Sequence, residues 1–214
     1  MKQDRCIGIL LPDLRPGGAE RVCVNLANEF ARRGIAVDVV LMQRRGELIG
    51  SVDPSVNVID LASPRVRSCL GPLVGYLRDR TPDALLANMW PLPVVALLAQ
   101  VLVRARTRIV AVEHTTWSID GLFQRPISRL LVKLTMRLAY PRLEEIVAVS
   151  SGAADDLSRV SNLPRERITA IHNPIVGSWG ASQASGSLST GWAEGSHDKV
   201  LAVGTLKAIK DYPT

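Results

Sequence analysis

The sequence predicts an α/β fold, a Rossmann-like doubly wound parallel sheet, and three observations carry that reading. Short apolar runs alternate with amphipathic stretches along most of the chain. The opening reads strand, Gly-rich turn, helix, strand, which within one sheet implies a right-handed parallel crossover. The composition, 47% hydrophobic and 21% charged over 214 residues, suits a globular domain and excludes disorder or collagen-like order.

Cys6 to Leu11 is a continuous apolar run closed by Pro12, the pattern of a strand buried on both faces. Pro12 to Gly18 is a loop. From Ala19 the apolar positions Val22, Leu26 and Phe30 recur every fourth residue, and Gly34 is a stop signal, so an amphipathic helix follows. Ala36 to Met42 is a second buried strand. Further strands are expected at Val56 to Leu61, Ala84 to Ala87, Arg108 to Glu113, Glu145 to Val149 and Ile168 to Ile171, with helices between them. Gly177 to Ser196 is dominated by Gly and Ser without an apolar period, and Lys199 to Gly204 then begins a fresh strand-then-Gly pattern. The expected organisation is a domain over 1–175, a linker over 176–198 and the start of a second domain over 199–214.

Lys and Arg number 26 against 20 acids, a formal +6 that favours anionic partners: phosphorylated small molecules, an anionic membrane face or nucleic acid. Aromatic residues are only 4%, which argues against base-stacking surfaces. Cys6, Cys23 and Cys69 lack Cys-x-x-Cys spacing and read as reduced, buried and cytosolic. The run from Cys6 to Leu11 is too short for a signal-peptide core. The stretch from Met89 to Val103, broken by Pro91 and Pro93, falls short of the ~20 residues of a membrane span.

Gly17 and Gly18 stand just before a helix N-terminus, where backbone N–H groups and the helix dipole favour a phosphate, although such a pair also makes a plain tight turn. Glu20 in the first turn is favoured by the dipole with or without a ligand. His114, in Glu113-His114-Thr115-Thr116-Trp117-Ser118, follows a strand end, where open parallel sheets bind ligands. It reads either as an active-site residue or as a histidine bonded to a neighbouring loop. His172, in Ile171-His172-Asn173-Pro174, reads as part of a turn. Ser150 and Ser151 read as helix caps, since no Gly-x-Ser-x-Gly surrounds them. The histidines and cysteines are scattered, so no metal site is expected. Arg125, Arg129, Lys133 and Arg137 are spaced by four along one helix side, with Ile127, Leu130, Leu131, Leu134 and Leu138 supplying an apolar side. That helix lies either on an anionic bilayer or as a solvated basic face over a core-facing stripe. Arginines at 65, 67, 104, 106 and 108 tilt the reading toward the membrane, and nucleic acid is not expected.

Taken in order, the opening strand, Pro16-Gly17-Gly18-Ala19-Glu20-Arg21, the His114 loop, Val149-Ser150-Ser151-Gly152 and Ile171-His172-Asn173-Pro174-Ile175 resemble the N-terminal domain of family-four glycosyltransferases of the GT-B fold. The match runs from about Cys6 to Ile175. The tail from Val203 to Tyr212 resembles the entry to the family's C-terminal domain. Gly-Gly-Ala-Glu-Arg with Asn-Pro-Ile is similar to members that build lipid-linked oligosaccharides, O-antigen or capsule.

The resemblance implies a retaining transfer of a sugar from a nucleotide-diphosphate donor to a lipid-linked or polysaccharide acceptor, in cell-envelope glycan or lipopolysaccharide biosynthesis. It implies no cofactor or metal, and a cytoplasmic enzyme peripheral to the inner face of the membrane. By the same resemblance Gly17 and Gly18 approach the donor phosphates, and His114 reaches the donor sugar and the reacting centre. Lys210 matches the lysine that neutralises the leaving diphosphate. Glu20, Glu113, Thr115, Asn173 and Thr205 are expected contacts, Thr205 standing where the family often has Arg. The carboxylate motif of the donor-side domain would fall after Thr214, so the chain reads as truncated and inactive alone. The alternatives are a nucleotide-sugar epimerase of the same fold and a non-catalytic binding module that partners a transferase.

Overall fold

The computed structural model describes residues 5–121 and 123–174. The expected linker over 176–198 and the strand pattern from Lys199, with Thr205 and Lys210, lie outside the described residues, as does His197. The described residues form seven strands and five α-helices, alternating except between the second and third strands, which a 3-10 turn at Glu47–Ser51 joins in place of the expected helix. In order these are β1 (Cys6–Leu11), α1 (Gly18–Arg32), β2 (Ala36–Leu41), β3 (Asn57–Asp60), α2 (Val66–Arg80), β4 (Ala84–Asn88), α3 (Leu92–Val103), β5 (Arg108–Glu113), α4 (Pro126–Ala139), β6 (Glu145–Ala148), α5 (Ser151–Ser161) and β7 (Thr169–Ala170). The sheet order is β3-β2-β1-β4-β5-β6-β7, with every pairing parallel. This is the Rossmann-like doubly wound sheet that the sequence predicts.

Side-chain alternation splits the core into two layers. Ile9 and Leu11 of β1 pack with Val37, Val39 and Leu41 of β2 beneath Cys23, Val24 and Ala27 of α1. On the other face Leu10, Leu85, Ala87, Ile109, Ala111 and Ile146 lie in the larger core that receives α2, α3, α4 and α5. Right-handed crossovers produce this asymmetry, because only the steps from β1 to β2 and from β2 to β3 run against the direction of the rest, and of the α-helices they carry α1 alone. As a result, the α1 face of β5 and β6 is only partly covered, and Val110, Val112 and Val147 are half-buried there.

Asp38 sits within the apolar strand β2 and is fully buried. It accepts hydrogen bonds from Asn57 Nδ2 at 3.0 Å, Tyr76 Oη at 3.2 Å, and Arg80 Nε at 3.1 Å and Nη2 at 2.8 Å. Burial acts to raise its pKa, but the bonds from Arg80, Asn57 and Tyr76 win and hold it below the usual carboxylate range. One carboxylate thus ties β2, β3 and α2 together at the amino edge of the sheet. Ser150 caps α5, its Oγ accepting from Ala153 N at 3.1 Å. The three cysteines are unbridged; Cys23 and Cys69 are buried, and Cys6 is only half-buried.

Helix α4 differs from one of its two sequence readings. Its core contacts come from Val132, Met136 and Ala139, whereas Ile127, Leu130, Leu131, Leu134 and Leu138 are all exposed. The stripe read from the spacing is therefore not core-facing. Leu98, Val101 and Leu102 on the neighbouring α3 are exposed as well. These two helices carry eight of the ten large apolar side chains exposed among the described residues, which makes a patch rather than a scatter. No helix among the described residues is long and apolar enough to cross a membrane.

Candidate active site at the carboxyl edge of the sheet

In a doubly wound sheet the crevice forms beyond the carboxyl ends of the strands where their order reverses. Here that point lies between β1 and β4, and the chain leaving each strand supplies the candidate residues. After β4 comes Asn88, nearly fully buried, followed by Met89 with φ 63°, an uncommon conformation for a non-glycine residue and one that recurs at functional sites. After β5 comes His114.

Asn88 and His114 are joined in a chain of bonds whose direction is fixed. Asn88 Nδ2 donates to the backbone oxygens of Leu10 and Leu86, each at 3.1 Å, so Oδ1 must face the other way. There it accepts from Cys23 Sγ at 3.2 Å and stands 3.0 Å from His114 Nε2. An oxygen acceptor requires that Nε2 carry the proton, which leaves Nδ1 with a bare lone pair. Nδ1 is buried and has no hydrogen-bond partner among the described residues. Burial lowers the His114 pKa to about 4, so the ring is neutral at physiological pH. The imidazole is thus set up to accept a hydrogen bond, and is poorly suited to donate a proton.

His114 lines an apolar groove of about 220 Å³, together with Val22, Cys23, Leu26 and Phe30 of α1, the strand residues Val112 and Val147, and Asn173. The structure therefore brings two predicted residues, His114 and Asn173, to one groove. Gly17 and Gly18 are exposed at the start of α1, which no side chain caps. The space over Gly18 is open, while a Cβ on Gly17 would fall 2.1 Å from Glu20 Oε2. The Glu20 carboxylate thus lies over the turn, where a phosphate would have to displace it. Thr115 is half-buried on the loop beyond His114.

Glu113 is placed differently from the sequence expectation of a donor or acceptor contact. Its carboxyl points to the opposite face from His114, fully buried, and accepts from Tyr140 Oη. Its Oε2 and the Trp117 indole N–H have no well-formed partners among the described residues, although the indole and the Trp90 backbone N–H lie close enough to lower its pKa somewhat. Desolvation dominates and raises the pKa to about 7. The physical reason is strand alternation: adjacent residues on β5 cannot both face the groove.

These two neighbours have opposite effects on pH-dependent stability. Folding takes up a proton at Glu113 between about pH 4.5 and 7, so its contribution falls as pH rises through that window. The unfolded chain binds more protons at His114 between about pH 4 and 6.5, so that contribution rises with pH. Glu113→Gln removes the first and leaves the second. Urea unfolding across pH 4 to 8 is expected to show the variant gaining stability relative to the wild type, by an amount on the order of 3 kcal/mol over the range. A constant difference across pH would contradict the assignment.

Among the described residues no group of His, Cys, Asp and Glu is arranged to hold a metal ion. A cavity of about 610 Å³ opens at the amino edge of the sheet, away from this crevice, and Arg78, Arg80, Arg104, Arg106 and Arg108 are among its lining residues. Arg78 and Arg80 end α2 and Arg104 is the C-cap of α3, where positive charge complements the helix carbonyls, while Arg108 opens β5.

Residues 16–176 match the family model described as Glycosyltransferase Family 4, well over half of the chain. The chain belongs to this family. No curated protein matches it. Among solved structures it is similar to Alr3699/HepE of Anabaena in complex with UDP-glucose, with a TM-score of 0.61 at 16% identity over 78% of this chain and 43% of that one. It is also similar to a glycosyltransferase from Rickettsia africae ESF-5, with a TM-score of 0.59 at 16% identity over 79% and 43%. The lipopolysaccharide outer core galactosyltransferase WaaB in its apo form gives 0.58 at 13% identity over 79% and 46%. The family-4 chain thus shares the GT-B N-terminal fold and spans less than half the length of these structures.

Asn88 was not found by sequence reasoning. The signal was present in principle, as the one polar residue closing the apolar strand Ala84-Leu85-Leu86-Ala87-Asn88 at the sheet's reversal point.

Proposed function

We propose that this chain is the acceptor-side half of a retaining glycosyltransferase that moves a sugar from a nucleotide-diphosphate donor to a lipid-linked or polysaccharide acceptor in envelope glycan assembly. In the reaction the bond from the anomeric carbon to the diphosphate breaks, a bond to the acceptor oxygen forms with the same anomeric configuration, and the acceptor's proton is released. The observation that carries the reading is the neutral His114 held by Asn88. Its open Nδ1 suits a hydroxyl of the donor sugar, beside the uncapped start of α1 at Gly17 and Gly18, which suits the donor phosphates. Lys210 keeps the diphosphate-side role that the resemblance implies, Thr205 stays a donor or acceptor contact, and Asn173 and Thr115 border the sugar.

The native protein, incubated with a panel of nucleotide sugars with and without a membrane glycolipid extract, is expected to release nucleoside diphosphate only when acceptor is present. Epimerised sugar without acceptor would instead identify an epimerase. Binding of a partner transferase with no nucleotide-sugar chemistry would identify a binding module.

The same reading places the enzyme at the inner face of the cytoplasmic membrane, through α4. Around the helix, Arg129, Lys133 and Arg137 form a row that borders the exposed stripe of Ile127, Leu130, Leu134 and Leu138. Arg125 stands at its start. Lys133 Nζ lies 5.8 Å from the Phe123 ring centroid. Apolar insertion beside a basic row is the chemistry of an anionic bilayer surface. Flotation with anionic vesicles at low salt is expected, and Leu130→Glu with Leu134→Glu should abolish it. The triple change of Arg129, Lys133 and Arg137 to Gln is expected to weaken it about 10²-fold, at ~1 kcal/mol per basic residue. Failure to float, or a concentration-dependent dimer that the Glu variants dissolve, would remove the membrane from the account.

A further inference from the structure

A second cleft opens at the same carboxyl edge of the sheet, on the other side of the Asn88–Met89 step. Its volume is about 290 Å³, and it shares no lining residue with the His114 groove. Asp13 and Arg15 from the loop after β1, Arg45 from the loop after β2, Arg65 at the start of α2, and Trp90 after β4 all line it. Three arginines and one carboxylate line it.

That carboxylate organises the others. Asp13 is 3% exposed and accepts from Arg15 Nε and Arg45 Nε, each at 3.0 Å, and from the Arg15 backbone N at 3.2 Å. Burial acts to raise its pKa, but these bonds lower it, so it stays ionised and keeps both guanidiniums in place. Both arginines engage Asp13 through Nε, and their side chains remain 66% and 53% exposed. Their Nη groups are therefore oriented yet unspent among the described residues. The Arg65 side chain also has no partner among the described residues, and it stands at the start of α2, which no side chain caps. α3 likewise begins at the rim without a side-chain cap. The positive ends of these helices and the arginines add up at one place. Glu20 and Glu47 stand within electrostatic reach of Arg15, and Arg45 and Arg65 line the same cleft.

We infer that this cleft binds a phosphoryl group carried by the acceptor. The inference rests on the transferase reading, since a reaction with two substrates needs a second site beside the donor's. Guanidiniums aimed from three separate loops suit a group with several oxygens around one centre, such as a phosphate or diphosphate, better than a planar carboxylate, which one fork satisfies. The donor's own diphosphate shares this chemistry. Its expected place, however, is the Gly17–Gly18 start of α1, whose residues do not line this cleft.

Calorimetric titration of the 214-residue chain with inorganic pyrophosphate and with glycerol 3-phosphate tests this. Binding is expected, with Arg45→Gln and Arg65→Gln each weakening it roughly tenfold, the scale of one charge-assisted hydrogen bond. The Arg65 guanidinium bonds to no other group among the described residues, and the Ser68 hydroxyl bonds only to the Arg65 backbone oxygen, so the Arg65 variant keeps the test independent of any loosening around Asp13. Saturating UDP should leave pyrophosphate binding unchanged. Absence of binding, equal affinity in both variants, or displacement by UDP would overturn the inference, displacement meaning that the cleft serves the donor. Retained binding in a native protein that transfers no sugar would leave the site standing and remove the transferase reading alone.

Discussion

Replacing His114 by Ala in the native protein is expected to lower kcat/KM for transfer by about 10²-fold, near 3 kcal/mol of transition-state stabilisation. Asn88 Oδ1 fixes the Nε2–H tautomer at 3.0 Å, so what is lost is an acceptor of one hydrogen bond rather than a proton donor. The pH dependence separates the two roles. With its pKa lowered to about 4 by burial, His114 should leave kcat/KM flat through pH 6.5, where an ordinary histidine would titrate. Activity should fail only when acid protonates Nδ1. Unchanged turnover in the Ala variant, or a break near pH 6.5 that it abolishes, would show that the imidazole works differently.

Asp38→Ala is expected to destabilise the domain by about 3–5 kcal/mol, measured as a fall in the urea midpoint. The change leaves the buried Tyr76 hydroxyl, the Asn57 amide and the Arg80 guanidinium without their common acceptor. Asp38→Asn should fall between the two, because it retains an oxygen for Tyr76 and loses the charge opposite Arg80. The folded pKa is depressed, so the stabilisation is present at neutral pH and lost in acid. The gap between wild type and Asp38→Ala should close as pH drops below about 4. A loss under about 1 kcal/mol at neutral pH would mean that the network is not a structural tie.

The layout of the sheet was legible because most strands are compact apolar runs and Gly or Pro stands near most helix ends. Cys6–Leu11 and Arg108–Glu113 fall on the predicted residues, and the others within one or two. What periodicity could not show is which apolar stripe meets the core. On α4 the four-residue spacing marks Leu130, Leu134 and Leu138 as one face, yet a protein interior and a lipid surface leave the same pattern. Depth was equally hidden. Glu113 and His114 are neighbours in sequence but face opposite sides of β5, and only the fold shows that one is a core carboxyl. Asn88, Asp13 and Asp38 act through partners distant along the chain, and no local motif announces such pairings.

The central claim is that the crevice is built around a neutral imidazole with an open Nδ1, waiting for a sugar hydroxyl. Nitrogen-15 NMR of the His114 ring reads this directly, before and after addition of nucleotide sugars. The account predicts the Nε2–H tautomer from pH 5 to 8 and a shift of the Nδ1 resonance when a nucleotide sugar binds. A ring that titrates near pH 6.5, carries its proton on Nδ1, or does not respond to any nucleotide sugar would contradict it.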